Sequence, residues 1–64
     1  MARYAEYTKV ENNHYTYLVF KYQGDPVLKA ERLKKQGLIP EGFELAGYYQ
    51  FRPTWLDNRK TIWL

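Results

Sequence analysis

His14 is the one histidine of the chain, and neither a cysteine nor a serine accompanies it. A metal centre needs several ligands converging on one point, and a lone imidazole beside a turn does not supply them. A hydrolytic nucleophile needs a hydroxyl or thiol next to a base. The chain has no serine or cysteine nucleophile to pair with His14. Glu41 and Glu44 are the closest thing to paired carboxylates. At a helix-to-strand hinge they read as one solvated residue and one cap. Gly42 and Gly47 lack the spacing of a phosphate loop. These residues predict no catalytic site, no metal, no cofactor and no enzyme.

The remaining chemistry is that of binding. Tyr15, Tyr17 and Phe20 with Lys21 have the aromatic and basic composition of strands on which unpaired bases stack. Around them the chain holds two Trp, seven Tyr and three Phe. The second concentration of charge is Lys29, Arg32 and Lys35, expected on the outer face of a helix with Lys34 near its flank. Such a stripe is either a solvated face or a contact for an acidic partner or a phosphate backbone. Basic residues towards a helix C-terminus also suit its dipole. Ten Lys and Arg against seven Asp and Glu give a net charge of +3. That permits an acidic protein or a nucleic acid as partner and demands neither.

The elements that position these side chains follow from local signals. Residues 3–11 and 14–22 are rich in strand formers, and Asn12-Asn13 between them tolerate the positive φ of a two-residue hairpin turn. That turn sets Val10 against Tyr15, Thr8 against Tyr17, Tyr7 against Leu18 and Ala5 against Phe20. The inward face is then Ala5, Tyr7, Leu18, Phe20 and Tyr22. The other face carries Tyr4, Thr8, Val10, Tyr15, Tyr17 and Val19. One helix covers only one of these faces. The second is either closed by the C-terminal segment or exposed as a binding surface.

Asp25 as N-cap with Pro26 behind it starts a helix over residues 25–36. Val27, Ala30 and Leu33 recur at helical spacing and are expected to face the sheet. Gly37 suits the left-handed residue that ends a helix, and Pro40 prevents its continuation. Residues 43–52 read as a strand, with Tyr48 sharing a face with Glu44, Ala46, Gln50 and Arg52. Gly47 inside it signals a bulge or a close backbone approach. Residues 60–64 suit a short last strand pairing back on 46–52, and Trp55 and Trp63 are expected over one end of the core.

The reading is therefore α+β: one domain over 1–64, ββαβ(β), an antiparallel sheet with one helix on one face. A domain this small buries only about 60% of its unfolded surface, so large aromatic side chains must supply the core. Dimerisation is a further solution, leaving monomer and homodimer both open. No apolar run approaches the roughly 20 residues of a membrane span, and a cytoplasmic location is expected.

Val10-Glu11 before two small polar turn residues, Val19 and Tyr22 in the second strand, Ala30 and Leu33 in the helix, and Pro40-x-Gly42-Phe43-Glu44 form one pattern. Over residues 10–44 it resembles the gene-two protein family of T-seven-like phages, small inhibitors of bacterial RNA polymerase. An Arg-Pro pair, here Arg52-Pro53, follows the third strand, later than the family places it. The resemblance implies a hairpin, one helix and a further strand. It also implies a bacteriophage protein that acts in host takeover, binding the jaw of the polymerase β′ subunit and blocking promoter opening. Arginines of the family's third strand touch the polymerase, and Arg52 is the position here that inherits the role. The chain departs from the family in its basic helix, in aromatics where a second arginine stands, and in its tail from Thr54 to Leu64. The stretch Glu41-Gly42-Phe43-Glu44-Leu45 is also similar to a helix-to-strand junction in a widespread small bacterial domain of unknown function. The expected contact residues are Arg52, a sheet face of Tyr15, Tyr17 and Tyr48, and the helix stripe Lys29, Arg32 and Lys35. The expected partner is bacterial RNA polymerase or another host protein, with nucleic acid as the alternative.

Overall fold

Asn12 and Asn13 adopt positive φ of 51° and 64°, and that turn fixes the register of the sheet. In the computed structural model, which describes residues 3–64, β1 (Arg3–Glu11) and β2 (His14–Tyr22) pair antiparallel. Val10 opposes Tyr15, Thr8 opposes Tyr17, Tyr7 opposes Leu18 and Ala5 opposes Phe20, as the turn predicts. The helix α1 (Pro26–Lys35) begins where the sequence signals it. Asp25 Oδ1 accepts the Val27 N–H at 2.9 Å, and Pro26 occupies the first turn. Gly37 ends it at φ 75°, with the Leu38 N–H reaching back to the Leu33 carbonyl at 3.0 Å. β3 (Glu44–Tyr49) and β4 (Thr61–Trp63) complete a four-stranded mixed sheet in the order β3-β1-β2-β4. The fold is a small α+β domain.

That order forces two crossings. β2 and β3 lie on either side of β1, so α1 passes over one face of the sheet. β3 and β4 lie on opposite edges, so residues 50–60 pass over the other face as a strap. The helix face holds the main apolar core: Ala5, Tyr7, Leu18, Phe20 and Tyr22 under Ala30, Leu33 and Ile39, with Phe43 against them. Burying each large side chain there stabilises by roughly 1.5–3 kcal/mol. A ladder of rings runs across it. Tyr7 lies 5.8 Å from Phe20, Phe20 6.3 Å from Tyr22, and Tyr22 6.0 Å from Tyr48 between centroids.

Four expectations are corrected. Val27 is exposed, because the inward stripe of α1 is carried by Ala30 and Leu33 with Pro26 half-buried in the first turn. β3 stops at Tyr49 rather than at residue 52, because the chain must leave the edge to cross the sheet. The last strand forms, but it pairs parallel with residues 17–19 of β2 and not with 46–52. Trp63 then lies on the strap face beside Val19, and Trp55 is 64% exposed, so neither covers an end of the helix-face core.

Candidate functional site

The strap face is built around a buried carboxylate. Glu6 pairs across β1 and β3 with Gly47, the one position of β3 that has no side chain. The Tyr49 ring folds back into that space. A Cβ on Gly47 would stand 3.3 Å from the Tyr49 hydroxyl. The hydroxyl donates to Glu6 Oε1 at 2.9 Å, and Thr8 Oγ1 donates to Glu6 Oε2 at 3.4 Å. Glu6 is only 7% exposed, so these two donors replace the water it has lost. Burial raises the Tyr49 pKa, and the hydrogen bond to Glu6 and its negative charge raise it further.

Over this layer Pro53 is fully buried. Proline suits the place because it has no N–H that would need a partner under the strap. Trp55 meets the Tyr49 ring edge-on at 5.1 Å. The Arg52 guanidinium lies 4.2 Å from the centroid of the Trp63 ring, a cation–π contact. The strap then turns through a 3₁₀ segment, Asn58–Lys60, capped by Asp57. Asp57 Oδ1 accepts the Arg59 N–H at 2.9 Å, and this backbone bond holds its carboxyl below the usual range. Thr61 Oγ1 donates to the Asp57 carbonyl at 2.7 Å and delivers the chain into β4.

The seven expected contact residues fall in three places. Tyr15 and Tyr17 stand on the strap face towards the hairpin turn, with centroids 6.5 Å apart and planes within 8°. Arg52 shares that face, held on Trp63 in the strap and not on β3. Tyr48 is on the opposite face, which corrects the expected grouping with Tyr15 and Tyr17. A bulge at Ala46 sets Tyr48 opposite Ala5 and Leu45 opposite Tyr7, so both join the helix side. Lys29 and Arg32 line a shallow hollow of about 430 Å³ with Lys21, Tyr22, Gln23 and Leu64, near β4. Lys35 is exposed beyond it.

Three residues of the strap face were not singled out for contact by sequence. Trp63 reaches it because β4 pairs with Val19. Arg59 and Lys60 precede Thr61, which pairs with Tyr17, so they come alongside the Tyr15 end of β2. Nothing local in the sequence announces that pairing. Among the described residues, no group of three His, Cys, Asp or Glu side chains is placed to hold a metal ion, and no helix is long and apolar enough to cross a membrane. No protein-family model matches the chain, and no curated protein and no solved structure is significantly similar to it.

Proposed function

We propose that this chain is a phage-type protein-binding module that inhibits a bacterial host enzyme, RNA polymerase first among them, by occupying part of its surface. The observation that carries the reading is the strap face. Arg52 on Trp63, with Tyr15 and Tyr17 on the same face, assembles the residue types that dominate protein–protein hot spots. The guanidinium is already oriented by the indole, so less side-chain freedom is lost on binding. The hairpin, helix and third strand come in the order that the gene-two resemblance implies, with Pro40 to Glu44 at the junction. A partner of this kind places the chain in the bacterial cytoplasm.

One observation favours nucleic acid as a second reading. The near-parallel Tyr15 and Tyr17 rings have Arg59 and Lys60 alongside. Against it, the platform is short, because Val19 further along β2 is covered.

Binding of the purified chain to bacterial RNA polymerase, with a promoter-directed transcription assay beside it, tests the proposal. We expect binding that survives nuclease, inhibition of transcription, and a loss of about tenfold or more in affinity for Arg52→Glu. A polymerase neither bound nor slowed at concentrations on the order of 100 μM overturns the assignment. Binding to single-stranded oligonucleotides whose affinity falls with log salt at about −0.7 per phosphate contacted would favour the second reading.

A further inference from the structure

β3 ends the sheet on one side, and among the described residues its outer row of backbone N–H and C=O groups faces no strand. Natural edges are commonly blunted by shortness, charge or proline. β4, at the other edge, is blunted: it has three residues and follows Arg59 and Lys60. β3 has six residues, and after Glu44 they are Leu, Ala, Gly, Tyr and Tyr, without charge or proline, so that the bulge at Ala46 is its one blunting feature. Around it the chain leaves large apolar side chains in water. Leu45 and Tyr48 are each 46% exposed on the helix side, while Phe51 just beyond the strand is 77% exposed and Trp55 over Tyr49 is 64% exposed.

We propose that the β3 edges of two copies of this chain pair antiparallel about a two-fold axis, joining two four-stranded sheets into one. The bulge at Ala46 suits this. It places Leu45 and Tyr48 on the same face three residues apart. The two-fold therefore sets Leu45 opposite the partner's Tyr48, and Tyr48 opposite the partner's Leu45. Glu44 then faces the partner's Tyr49 and not its own twin.

The area is sufficient. At about 150–250 Å² per fully exposed aromatic side chain, the exposed parts of Tyr48, Phe51 and Trp55 come to roughly 280–470 Å² in each copy. Leu45 and the strand backbone bring the pair of copies to about 1,000 Å², where specific interfaces begin.

The charges fit a second copy as well. Lys21, Lys29 and Arg32 line the hollow near β4, and Arg59 and Lys60 lead into β4. With strands about 4.8 Å apart, β4 lies roughly 14 Å from β3, beyond the Debye length of about 8 Å at physiological salt. Pairing through β3 keeps these five cations of each copy at the far edges, while Arg3 and Lys9 of β1 stand nearer the seam and the Arg52 guanidinium is held on Trp63 of β4.

Sedimentation of the full chain tests this, and it does not depend on the polymerase reading. We expect a reversible dimer of twice 7.8 kDa. Leu45→Lys and Phe51→Glu should each raise the dimer Kd by about tenfold or more, with an unchanged circular dichroism spectrum, while Lys29→Glu leaves it unaltered. Phe51 is too exposed for its replacement to unfold the domain, so that variant decides if Leu45→Lys does not fold. A wild-type chain that stays monomeric at a concentration on the order of 1 mM overturns the proposal. A dimer indifferent to both edge variants also overturns it, because the interface then lies elsewhere.

Discussion

The two faces of the sheet are closed by different means. Over one face lies α1, whose backbone groups bond within the helix. It can rest on apolar side chains without further polar partners, and the face beneath it is a ladder of rings with Ala30, Leu33 and Ile39. Over the other face passes a strap without a helix or strand of its own beyond the short 3₁₀ segment Asn58–Lys60. The strap has no helical ladder of backbone bonds, so it depends on particular contacts: a proline without an N–H, the Asp57 cap, the Lys60 N–H on the Asp57 carbonyl and the Thr61 bond, over a layer closed by the Glu6–Tyr49 bond. The helix face is held by volume and the strap face by a few specific groups. The face that carries Arg52 is therefore also the one whose local opening costs less.

The largest effect should come from the helix face. Phe20 is fully buried at the centre of the ring ladder. Phe20→Ala should cost about 3–5 kcal/mol. At about 0.05–0.15 kcal/mol per residue, that is comparable with the whole stability of a 64-residue chain. Urea unfolding should find the variant largely unfolded. A loss below about 1 kcal/mol would mean that the ring ladder is not the main core.

On the strap face, Tyr49→Phe removes one hydroxyl and leaves Glu6 with Thr8 alone. The cost should be about 1–3 kcal/mol, read by urea unfolding with Trp55 fluorescence as the local probe. The pH dependence separates the faces further. Burial raises the pKa of Tyr7, with a smaller contribution from Tyr48, and burial with Glu6 raises that of Tyr49. Both phenols stay protonated to higher pH folded than unfolded. The stabilisation is thus complete below the free-tyrosine value of about 10 and is lost as pH rises through the raised values. Thermal melts should be insensitive to these groups from neutral pH to about 9 and decline above about 10. The decline should be shallower in Tyr49→Phe, and an unchanged decline would assign it to Tyr7.

The helix face was the more legible of the two, for a physical reason. Asn12-Asn13 fix the register of β1 and β2 locally, and register assigns Ala5, Tyr7, Leu18, Phe20 and Tyr22 to one side at once. Asp25-Pro26 and Gly37 mark the helix ends by short-range bonds. The strap face depends on partners far apart in the chain. Gly47 signals a bulge or a close backbone approach; the bulge forms, and the group that comes close to Gly47 is the Tyr49 side chain. The extra residue is Ala46, however, which carries no signal of its own, and its insertion moves Tyr48 to the helix side. A three-residue β4 has too little pattern to choose its neighbour, so Trp63, Arg59 and Lys60 reached the candidate surface unannounced. Arg52 was expected at the end of a strand. Its place on Trp63 comes from the crossing, which no local residue type encodes.

Gly47 gives the smallest effect and the sharpest contrast between the faces. Glycine inside a strand usually costs about 0.5–1 kcal/mol relative to alanine, so Gly47→Ala would ordinarily stabilise. Here the new Cβ meets the Tyr49 hydroxyl at 3.3 Å and the ring carbon that bears it at 3.5 Å. Tyr49 has little room to yield, because its hydroxyl is bonded to Glu6 and its ring abuts Trp55. Gly47→Ala should therefore destabilise, by an amount on the order of 0.5 kcal/mol. In a Tyr49→Phe background the nearest oxygen and its bond are both gone, the ring can shift, and the same substitution should turn stabilising. The double-mutant cycle would then show a coupling of about 1 kcal/mol between adjacent side chains. If Gly47→Ala stabilises both backgrounds equally, the ring is not pinned over Gly47. The strap face would then tolerate substitution as a surface held by volume does, and the distinction between the two faces would fail at that residue.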